Sequence, residues 1–531
     1  MLLLSLPFDI LIRLLSIVEG SSLLKCREVC KTFAALIETD IGLQYKLELY
    51  RSGMLNNSSE KHAGVSFRQR LDLLKQLHSL RQTWSVTWPE GLIPGTRSTA
   101  NIEDWSWEYT SKILACLTVD SEVCLYEFFG LSSTIPYRHR VVHPQPQFGL
   151  TQGLYLDPRQ DLLIVMDSLD NLWGTELRVH VLSLSDGLPH PQANKPIIEV
   201  HNLFYDASGL FQSQIYGNLL AVGVVQDNLP TGNIGIINWI TGELIETIPG
   251  YAYMFLDGQH ILLAHLNDAL SRVELRVHVI TGHSDGSRPL LVLPMPIPYR
   301  DYSLRLGIDQ HQDDALTTTS NPTNMGDLDT NRYPFIANPA LNMVALSLST
   351  SSRGPSPIQI ICAFPLSSIL TLLPAPDYTS YSEAHTTPIE IPWGSWAQCT
   401  FTWPTILVGP KMCLSISGNR IAISQAYENE PDTDTDNTCT VSIYRFHPEW
   451  FTQQRMTPQN SNFLGGDLDK PSSGLELDDV VADIGMDMDN IVTLPLPKPE
   501  QVMTTGEVRQ IWMDDDLLVM ALPEGIQFVR A

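Results

Sequence analysis

Paired apolar runs dominate the chain from residue 96 to its C-terminus and constrain the fold more than any other feature. In each unit, a short apolar run follows a turn and precedes a second run of alternating apolar and polar residues, as in SKILACLTVDSEVCLYEFFG. Six further units follow: RQDLLIVMDS with ELRVHVLSLSDG, YGNLLAVGVV with NIGIINWITGEL, DGQHILLAHL with VELRVHVI, PALNMVALSL with IQIICAFPL, SGNRIAISQA with CTVSIYRFHP, and DDDLLVMALPEGIQFVRA. Alternation of this kind, with little helical spacing, predicts β-strands joined in pairs.

Repeated strand pairs that keep one order are typical of a β-propeller, because each blade is a small twisted sheet that buries its faces only against its neighbours. We therefore predict that residues 96–531 are mainly β and form an irregular propeller of about seven blades. A pair of β-sandwiches is the alternative, since short strands do not by themselves specify a closed ring. In a propeller, the last run, from Ile511 to Val529, would close the ring against strands between Trp84 and Trp107.

Two segments interrupt the strand pairs. Residues 306–333 and 452–505 are rich in Asp, Gly, Ser and Pro and contain few apolar runs. Segments of this composition cannot bury enough apolar surface to offset the entropy of ordering. We predict that both are mobile loops.

The first 45 residues have a different pattern, in which apolar residues recur at helical spacing. Pro7 suits the first turn of a helix, Gly20 is predicted to end that helix, and Ser21 or Ser22 to cap the next one. The apolar positions are Ile10, Leu11, Leu14, Leu15 and Val18, then Leu23, Leu24, Val29, Phe33, Leu36 and Ile37, with a break expected near Cys30. Three short helices cannot bury so many apolar side chains among themselves, so part of this surface is predicted to contact a partner.

This N-terminal pattern resembles the F-box, a small three-helix module that binds an adaptor protein. The residues that carry the resemblance are Leu6-Pro7-x-Asp9-Ile10-Leu11, Leu23-Leu24 and Val29-Cys30-Lys31-x-Phe33, with Phe33 where the family often has tryptophan. The resemblance implies that residues 1–45 dock on the Skp adaptor of a Skp–cullin–F-box ubiquitin ligase. By the same resemblance, the adaptor-binding positions are Leu6, Pro7, Ile10, Leu11, Val29, Cys30 and Phe33. We expect about half of them to face the adaptor and the others to fill the core of the module.

Residues 46–95 are predicted to form a helical linker between the two parts. Ser66 and Gln69 have the spacing of a capping box, and an apolar stripe at helical spacing follows at Phe67, Leu71, Leu74, Leu77, Leu80 and Trp84. The order of F-box, GM turn and RLDLLKQLHSLRQTW also resembles fungal F-box proteins with long strand-rich C-terminal regions. The linker helix is expected to contact both of its neighbours.

Charge and cysteine usage limit the partners and the compartment. The formal net charge is −26, with 59 acidic and 33 basic side chains, and such a surface repels nucleic acid and anionic membranes. The eight cysteines lie mostly in apolar runs such as KILACLTV and IQIICAF. Without a close-spaced disulfide pattern, they favour a cytoplasmic or nuclear location.

The sequence contains no GxxxxGK[ST] or HExxH motif, and Cys26 and Cys30 have no further ligands at metal-binding spacing. We therefore predict no catalytic, cofactor or metal site. The chain is expected to be a non-catalytic subunit whose partners are the Skp adaptor, a cullin bound through it, and an unknown protein substrate. The alternatives are an adaptor-bound scaffold without ubiquitin transfer and a propeller enzyme of unknown reaction.

Overall fold

The computed structural model describes residues 5–57, 62, 64–83 and 92–94, and the strands and shorter turns between 107 and 530. The longest intervals outside the described residues are 95–106, 309–333, 374–387, 427–437 and 447–499. Helices occupy the N-terminal part and strands most of the rest. The described chain is therefore mainly β with a few N-terminal helices.

Five helices form the N-terminal part: α1 (Phe8–Ile17), α2 (Gly20–Val29), α3 (Lys31–Thr39), α4 (Ile41–Ser52) and α5 (Phe67–Thr83). The predicted break lies at Cys30, whose extended backbone (φ −159°, ψ 159°) separates α2 from α3. The capping box before α5 is present, since the Ser66 N–H donates to Gln69 Oε1 at 3.0 Å and the Gln69 N–H donates to Ser66 Oγ at 3.3 Å. Two short helices, Leu366–Leu370 and Trp393–Trp396, and a 3-10 turn, Pro158–Gln160, lie among the strands.

Gly20 has a different role from the one predicted. It begins α2 rather than ending α1, and the N-cap of α2 is Glu19, not a serine. The glycine is required by packing, because a Cβ at residue 20 would lie 2.4 Å from the Cβ of Tyr50 in α4. Close approach of α2 to α4 therefore explains this position.

Replacing Gly20 with alanine is expected to force α2 away from α4 and to lower the free energy of unfolding by about 1–3 kcal/mol, the usual cost of overpacking. Urea unfolding followed by circular dichroism measures the change. Gly64→Ala is the matched control, since a Cβ at residue 64 would have no atom within 4 Å. Equal stability of the two variants would contradict the packing explanation.

Seven sheets of four or five strands follow along the described chain. Sheet 1 contains Trp107–Thr110, Ile113–Leu117, Val123–Phe128 and Tyr137–Val142; sheet 2 contains Leu150–Asp157, Leu162–Ser168, Glu176–Ser183 and Ile197–His201. Sheet 3 contains Leu210–Tyr216, Leu219–Val225, Asn233–Asn238 and Glu243–Pro249. Sheet 4 contains Ala252–Phe255, His260–Asn267, Arg272–Val279 and Pro289–Pro298, to which Ile389–Glu390 adds in parallel.

Sheet 5 contains Tyr302–Ile308, Met343–Thr350, Ile358–Pro365 and Phe401–Ile406, and sheet 6 contains Leu414–Ser417, Arg420–Ala426, Thr438–Arg445 and Glu500–Thr505. Sheet 7 contains Gln510–Met513, Leu517–Leu522, Gly525–Arg530 and, as its outer strand, Leu92–Pro94. The two central strands of each sheet are the paired apolar runs predicted from the sequence.

The connectivity differs from one sheet to another. In sheets 1, 2, 3, 4 and 6, four strands that are consecutive in sequence lie side by side. The other two of the seven sheets lack this simple order. The chain segment of sheet 5 also contains the strands Phe335–Ala337 and Ile389–Glu390, which pair with Met54–Asn56 and with sheet 4. Sheet 7 includes Leu92–Pro94, a strand that precedes sheet 1 in sequence. The prediction of an irregular propeller of about seven blades is therefore corrected to five blades of simple connectivity.

Packing between the sheets has the arrangement of a propeller. A cluster of buried apolar side chains lies between each neighbouring pair of sheets. The last cluster joins sheet 7 to sheet 1, where Val519 packs with Leu114 and Tyr126. Because separate small sheets bury their faces against successive neighbours, the β-sandwich alternative is not favoured.

The ring closes as predicted, through a strand before sheet 1. Leu92, Ile93 and Pro94 pair antiparallel with Gln527, Ile526 and Gly525 of sheet 7. Residues 46–95, predicted as a helical linker, therefore also contain the short strands Leu92–Pro94 and Met54–Asn56. Each of these strands has only three residues, too few for a period of two to stand out in the sequence.

The loop predictions also need correction at their ends. Glu500–Thr505, the last six residues of the predicted loop 452–505, is a strand that pairs with Thr438–Ile443. Tyr302–Ile308 extends into the start of the predicted loop 306–333. The remaining residues of the two predicted loops, 309–333 and 452–499, lie outside the described residues.

Candidate adaptor-binding surface

Helix α1 contributes to the core of the N-terminal module through one of its sides. Leu11 and Leu15, one turn apart, are 1% and 4% exposed and pack with Leu23 of α2. The same cluster contains residues of the next two helices: Phe33, Leu36, Ile37, Leu43 and Leu47. The four helices α1 to α4 therefore share one small core.

Other apolar residues of α1 face outward. Phe8, Ile10, Leu14 and Ile17 are exposed, Leu14 by 42% and Ile17 by 79%, and Val29 at the end of α2 is exposed by 71%. We call these five residues the exposed helical surface. Several exposed large apolar side chains within two short helices make this module a candidate interaction site, because soluble proteins expose few such side chains together.

The structure separates the seven residues predicted for adaptor binding into three groups. Pro7, Ile10 and Val29 are exposed. Leu6 and Cys30 are half-buried and pack against the module core, and Leu11 and Phe33 are buried inside it. Contact between the exposed residues and an adaptor stays a prediction.

Three residues of the exposed helical surface were not predicted as adaptor-binding residues: Phe8, Leu14 and Ile17. The signal for Leu14 and Ile17 was present in the spacing of α1. Ile10, Leu14 and Ile17 follow one another at helical steps along one side, while Leu11 and Leu15 follow along the adjacent side. A ten-residue helix with two such stripes buries only one in its own module.

A hydrogen bond from α4 holds the C-terminal end of α1. The Lys46 Nζ of α4 donates to the carbonyl oxygen of Ser16 at 2.6 Å, where the last carbonyl groups of α1 lack helical partners. Asp9 and Arg13 are exposed among the apolar residues of α1, and Glu28 is exposed beside Val29. Charged side chains are therefore exposed on the same helices as the apolar ones.

A two-stranded sheet joins the helices to the propeller. Met54–Asn56, directly after α4, pairs antiparallel with Phe335–Ala337, which lies within sheet 5's chain segment. The backbone N–H of Asn57 donates to the carbonyl oxygen of Pro334 at 2.9 Å, and Tyr45 Oη donates to the same oxygen at 3.2 Å. The helical part is therefore bonded to the propeller through backbone groups as well as side chains.

A shared apolar cluster strengthens this junction. Phe335 packs with Met54 and with residues of α4 and α5, which are Tyr45, Leu49, Leu71, Leu74 and Leu77. Gly53 ends α4 in the left-handed conformation (φ 68°), and a Cβ there would lie 3.0 Å from Nδ2 of Asn419. These contacts give the exposed helical surface a defined orientation relative to the propeller.

The propeller carries an open pocket of about 440 Å³ next to sheet 4. Its lining is largely apolar, with one ion pair in which Arg272 and Glu390 are 3.0 Å apart. The remaining lining residues are Pro294, Met295, Pro392 and Trp393. Trp396, behind Trp393, is buried in the cluster between sheets 4 and 5, so it serves packing rather than binding.

The described residues contain neither a metal-binding cluster nor a helix suited to crossing a membrane. No group of three or more His, Cys, Asp or Glu side chains in these ranges is arranged to hold a metal ion. None of the helices in this part of the chain has both the length and the apolar character needed to cross a bilayer.

Comparison with known proteins identifies the helical module. A model of the F-box domain matches residues 3–43, which include α1, α2 and α3. No curated protein matches the chain in sequence. The chain thus carries an F-box domain at its N-terminal end, in agreement with the resemblance of its motif.

Solved structures resemble the propeller only distantly. The β-propeller domain of Cps50 (Swd1) from Myceliophteria thermophila is 11% identical, with a TM-score of 0.35, and the match covers 80% of this chain and 95% of that domain. Hydrazine synthase from Kuenenia stuttgartiensis is 10% identical, with a TM-score of 0.40 and coverage of 81% and 97%. BamB from Moraxella catarrhalis is 11% identical, with a TM-score of 0.32 and coverage of 81% and 94%. No function is transferred from these structures.

Proposed function

We propose that this chain, with its F-box domain and propeller, is the substrate-recognition subunit of a Skp–cullin–F-box ubiquitin ligase. The observation that carries the proposal is the exposed helical surface, which lies on the domain that binds the Skp adaptor in other F-box proteins. In this proposal, Pro7, Ile10 and Val29 contact the adaptor, whereas Leu11 and Phe33 shape the core behind them. The chain itself performs no chemistry, and it acts in the cytoplasm or nucleus.

The propeller is proposed to hold a protein substrate, and the junction at Met54–Asn56 supports this division of labour. A receptor of this kind works by raising the effective concentration of its substrate beside the ubiquitin donor. A junction with a shared apolar cluster limits how far the substrate can drift from the adaptor. The pocket beside Trp393 is one concave surface that could receive a substrate side chain.

Two alternatives predict different outcomes in the same assay. An adaptor-bound scaffold would bind adaptor and cullin without ubiquitin transfer, and a propeller enzyme would require neither protein. No observation in the described part of the chain favours either alternative over the receptor.

Co-purification of the full chain from its native cells, followed by addition of ubiquitin with activating and conjugating enzymes, tests the proposal. We expect the Skp adaptor and a cullin in the purified complex and ubiquitin chains on a protein retained by the propeller. Adaptor and cullin without ubiquitin transfer would instead identify a scaffold. Absence of both adaptor and cullin would contradict the receptor and the scaffold together.

A further inference from the structure

Sheet 1 places two cysteines directly opposite each other. Cys116, in the strand Ile113–Leu117, is the register partner of Cys124, in the strand Val123–Phe128. Both are free thiols, only 8% and 5% exposed, and both belong to the apolar cluster between sheets 1 and 7. Side chains of register partners project from the same face of a sheet, so the two sulfurs are neighbours.

The strand register fixes the distance between them. The Thr118 N–H donates to the Glu122 carbonyl oxygen, and the Phe128 N–H to the Lys112 carbonyl oxygen, each at 2.8 Å. Because hydrogen-bonded pairs alternate along an antiparallel ladder, Cys116 and Cys124 also form such a pair, with Cα atoms about 5.5 Å apart. Disulfides bridge Cα separations of roughly 4.4–6.8 Å. A bond can therefore form here with only local adjustment of the two strands.

Such a bond would be easy to reduce. The Cβ atoms of hydrogen-bonded partners are about 5.5 Å apart, whereas a relaxed disulfide has about 3.8 Å between them. Closing this difference strains the sheet, and a strained disulfide is reduced more readily than a structural one. The geometry of the pair therefore favours a reversible disulfide over a permanent structural one.

The surroundings of Cys124 favour its thiolate. A hydrogen bond from the Cys116 thiol, more than one from His139, lowers the pKa of Cys124, whereas burial and the charge of Glu122 act in the opposite direction. The same thiol hydrogen bond, together with burial, raises the pKa of Cys116 well above its ordinary value. His139 is exposed and stacks on Tyr126 with ring centroids 4.8 Å apart, and Glu122 pairs with His143 at 3.2 Å. Cys124 is thus suited to attack a disulfide as a thiolate, and Cys116 to remain a thiol until the second step of the exchange.

We propose that Cys116 and Cys124 are a thiol oxidation site, which a small-molecule disulfide such as oxidised glutathione converts reversibly to an intramolecular disulfide. The Cys124 thiolate attacks one sulfur of the oxidant, forms a mixed disulfide and releases one glutathione thiolate. Cys116 then loses its proton, attacks the Cys124 sulfur and releases the second glutathione. The two protein thiols are oxidised and one glutathione disulfide is reduced to two thiols. The inference is independent of the proposed ligase role, and reversible thiols of this kind occur in reducing compartments as redox sensors.

The site is tested by treating the full chain with oxidised glutathione, alkylating the remaining thiols and digesting with trypsin. Cleavage after Lys112 and after Arg138 leaves both cysteines in the single peptide 113–138. We expect this peptide to lose two hydrogens, to carry no glutathione and to recover both thiols with a reductant. In Cys116→Ala, the peptide is expected to retain glutathione on Cys124, because the resolving thiol is missing.

Two further variants serve as controls. Cys26→Ala, in the helical module, is expected to leave the oxidation of peptide 113–138 unchanged. His139→Gln, at an exposed position that does not threaten folding, is expected to slow the oxidation several-fold near neutral pH and to shift its pH midpoint upward. Peptide 113–138 with two free thiols, or with a stable glutathione adduct in the unsubstituted chain, would overturn the proposal.

Discussion

Ile10→Asp and Val29→Lys are each expected to abolish capture of the Skp adaptor by the full chain without changing its thermal unfolding. Ile10 is 43% exposed in the first turn of α1, where an acidic residue suits the helix dipole. Val29 is 71% exposed at the C-terminal end of α2, where a basic residue suits it. Both charges are therefore tolerated by the free chain.

Binding would bury these charges against an apolar partner surface. Loss of a central interface residue costs about 2–4 kcal/mol, which corresponds to roughly 30- to 1,000-fold weaker binding. Isothermal calorimetry with purified adaptor measures the loss, and circular dichroism verifies that the helices persist.

The matched control is Ile389→Asp, a substitution of an exposed apolar residue on the propeller, where 52% of the side chain is accessible. It introduces the same charge as Ile10→Asp far along the chain from the F-box domain, and adaptor affinity should not change. Normal affinity in both Ile10→Asp and Val29→Lys would show that the exposed helical surface is not the adaptor site.

Ile526→Pro is expected to open the propeller ring and lower the free energy of unfolding by about 3 kcal/mol or more, because proline removes a ladder N–H inside a sheet. Ile526 lies in the third strand of sheet 7, where it pairs with Ala521 on one side and with Ile93 on the other. Disruption there affects both the C-terminal hairpin and the strand that closes the ring.

Urea unfolding measures the loss of stability, and hydrogen exchange locates it in Leu517–Leu522 and Leu92–Pro94. Ile526→Val is the control, since it keeps the N–H and the β-branched side chain. If Ile526→Pro were as stable as Ile526→Val, pairing between Leu92–Pro94 and Gly525–Gln527 would not contribute to closure.

The F-box domain shows how far local pattern reaches. Pro7, the helical spacing of the leucines and the break at Cys30 predicted short helices, and the motif predicted which proteins they resemble. The same residues did not reveal that Ile10 and Val29 face outward while Leu11 and Phe33 face the core. Burial depends on which side of a helix the neighbouring elements occupy. When both sides of a helix carry apolar residues, their spacing alone does not show which side is buried.

Gly20 illustrates the same limit at a single position. A glycine after an apolar stripe normally indicates a helix end, and its surroundings in the chain supported that interpretation. Glycine is required there because of Tyr50, which is thirty residues later in the sequence. The Cβ of Tyr50 would lie 2.4 Å from a Cβ at residue 20. Contact between two helices outweighed the local signal.

By itself, the sequence determined the F-box module, the seven central strand pairs and the order in which they follow, because helix and strand periods are short-range properties of apolar spacing. Only the tertiary structure decided that Leu92–Pro94 completes sheet 7, that Phe335 packs against α4 and α5, and that Cys116 faces Cys124. These pairings select one register among many that the same alternation allows, and the choice is made by backbone hydrogen bonds and packing between distant segments.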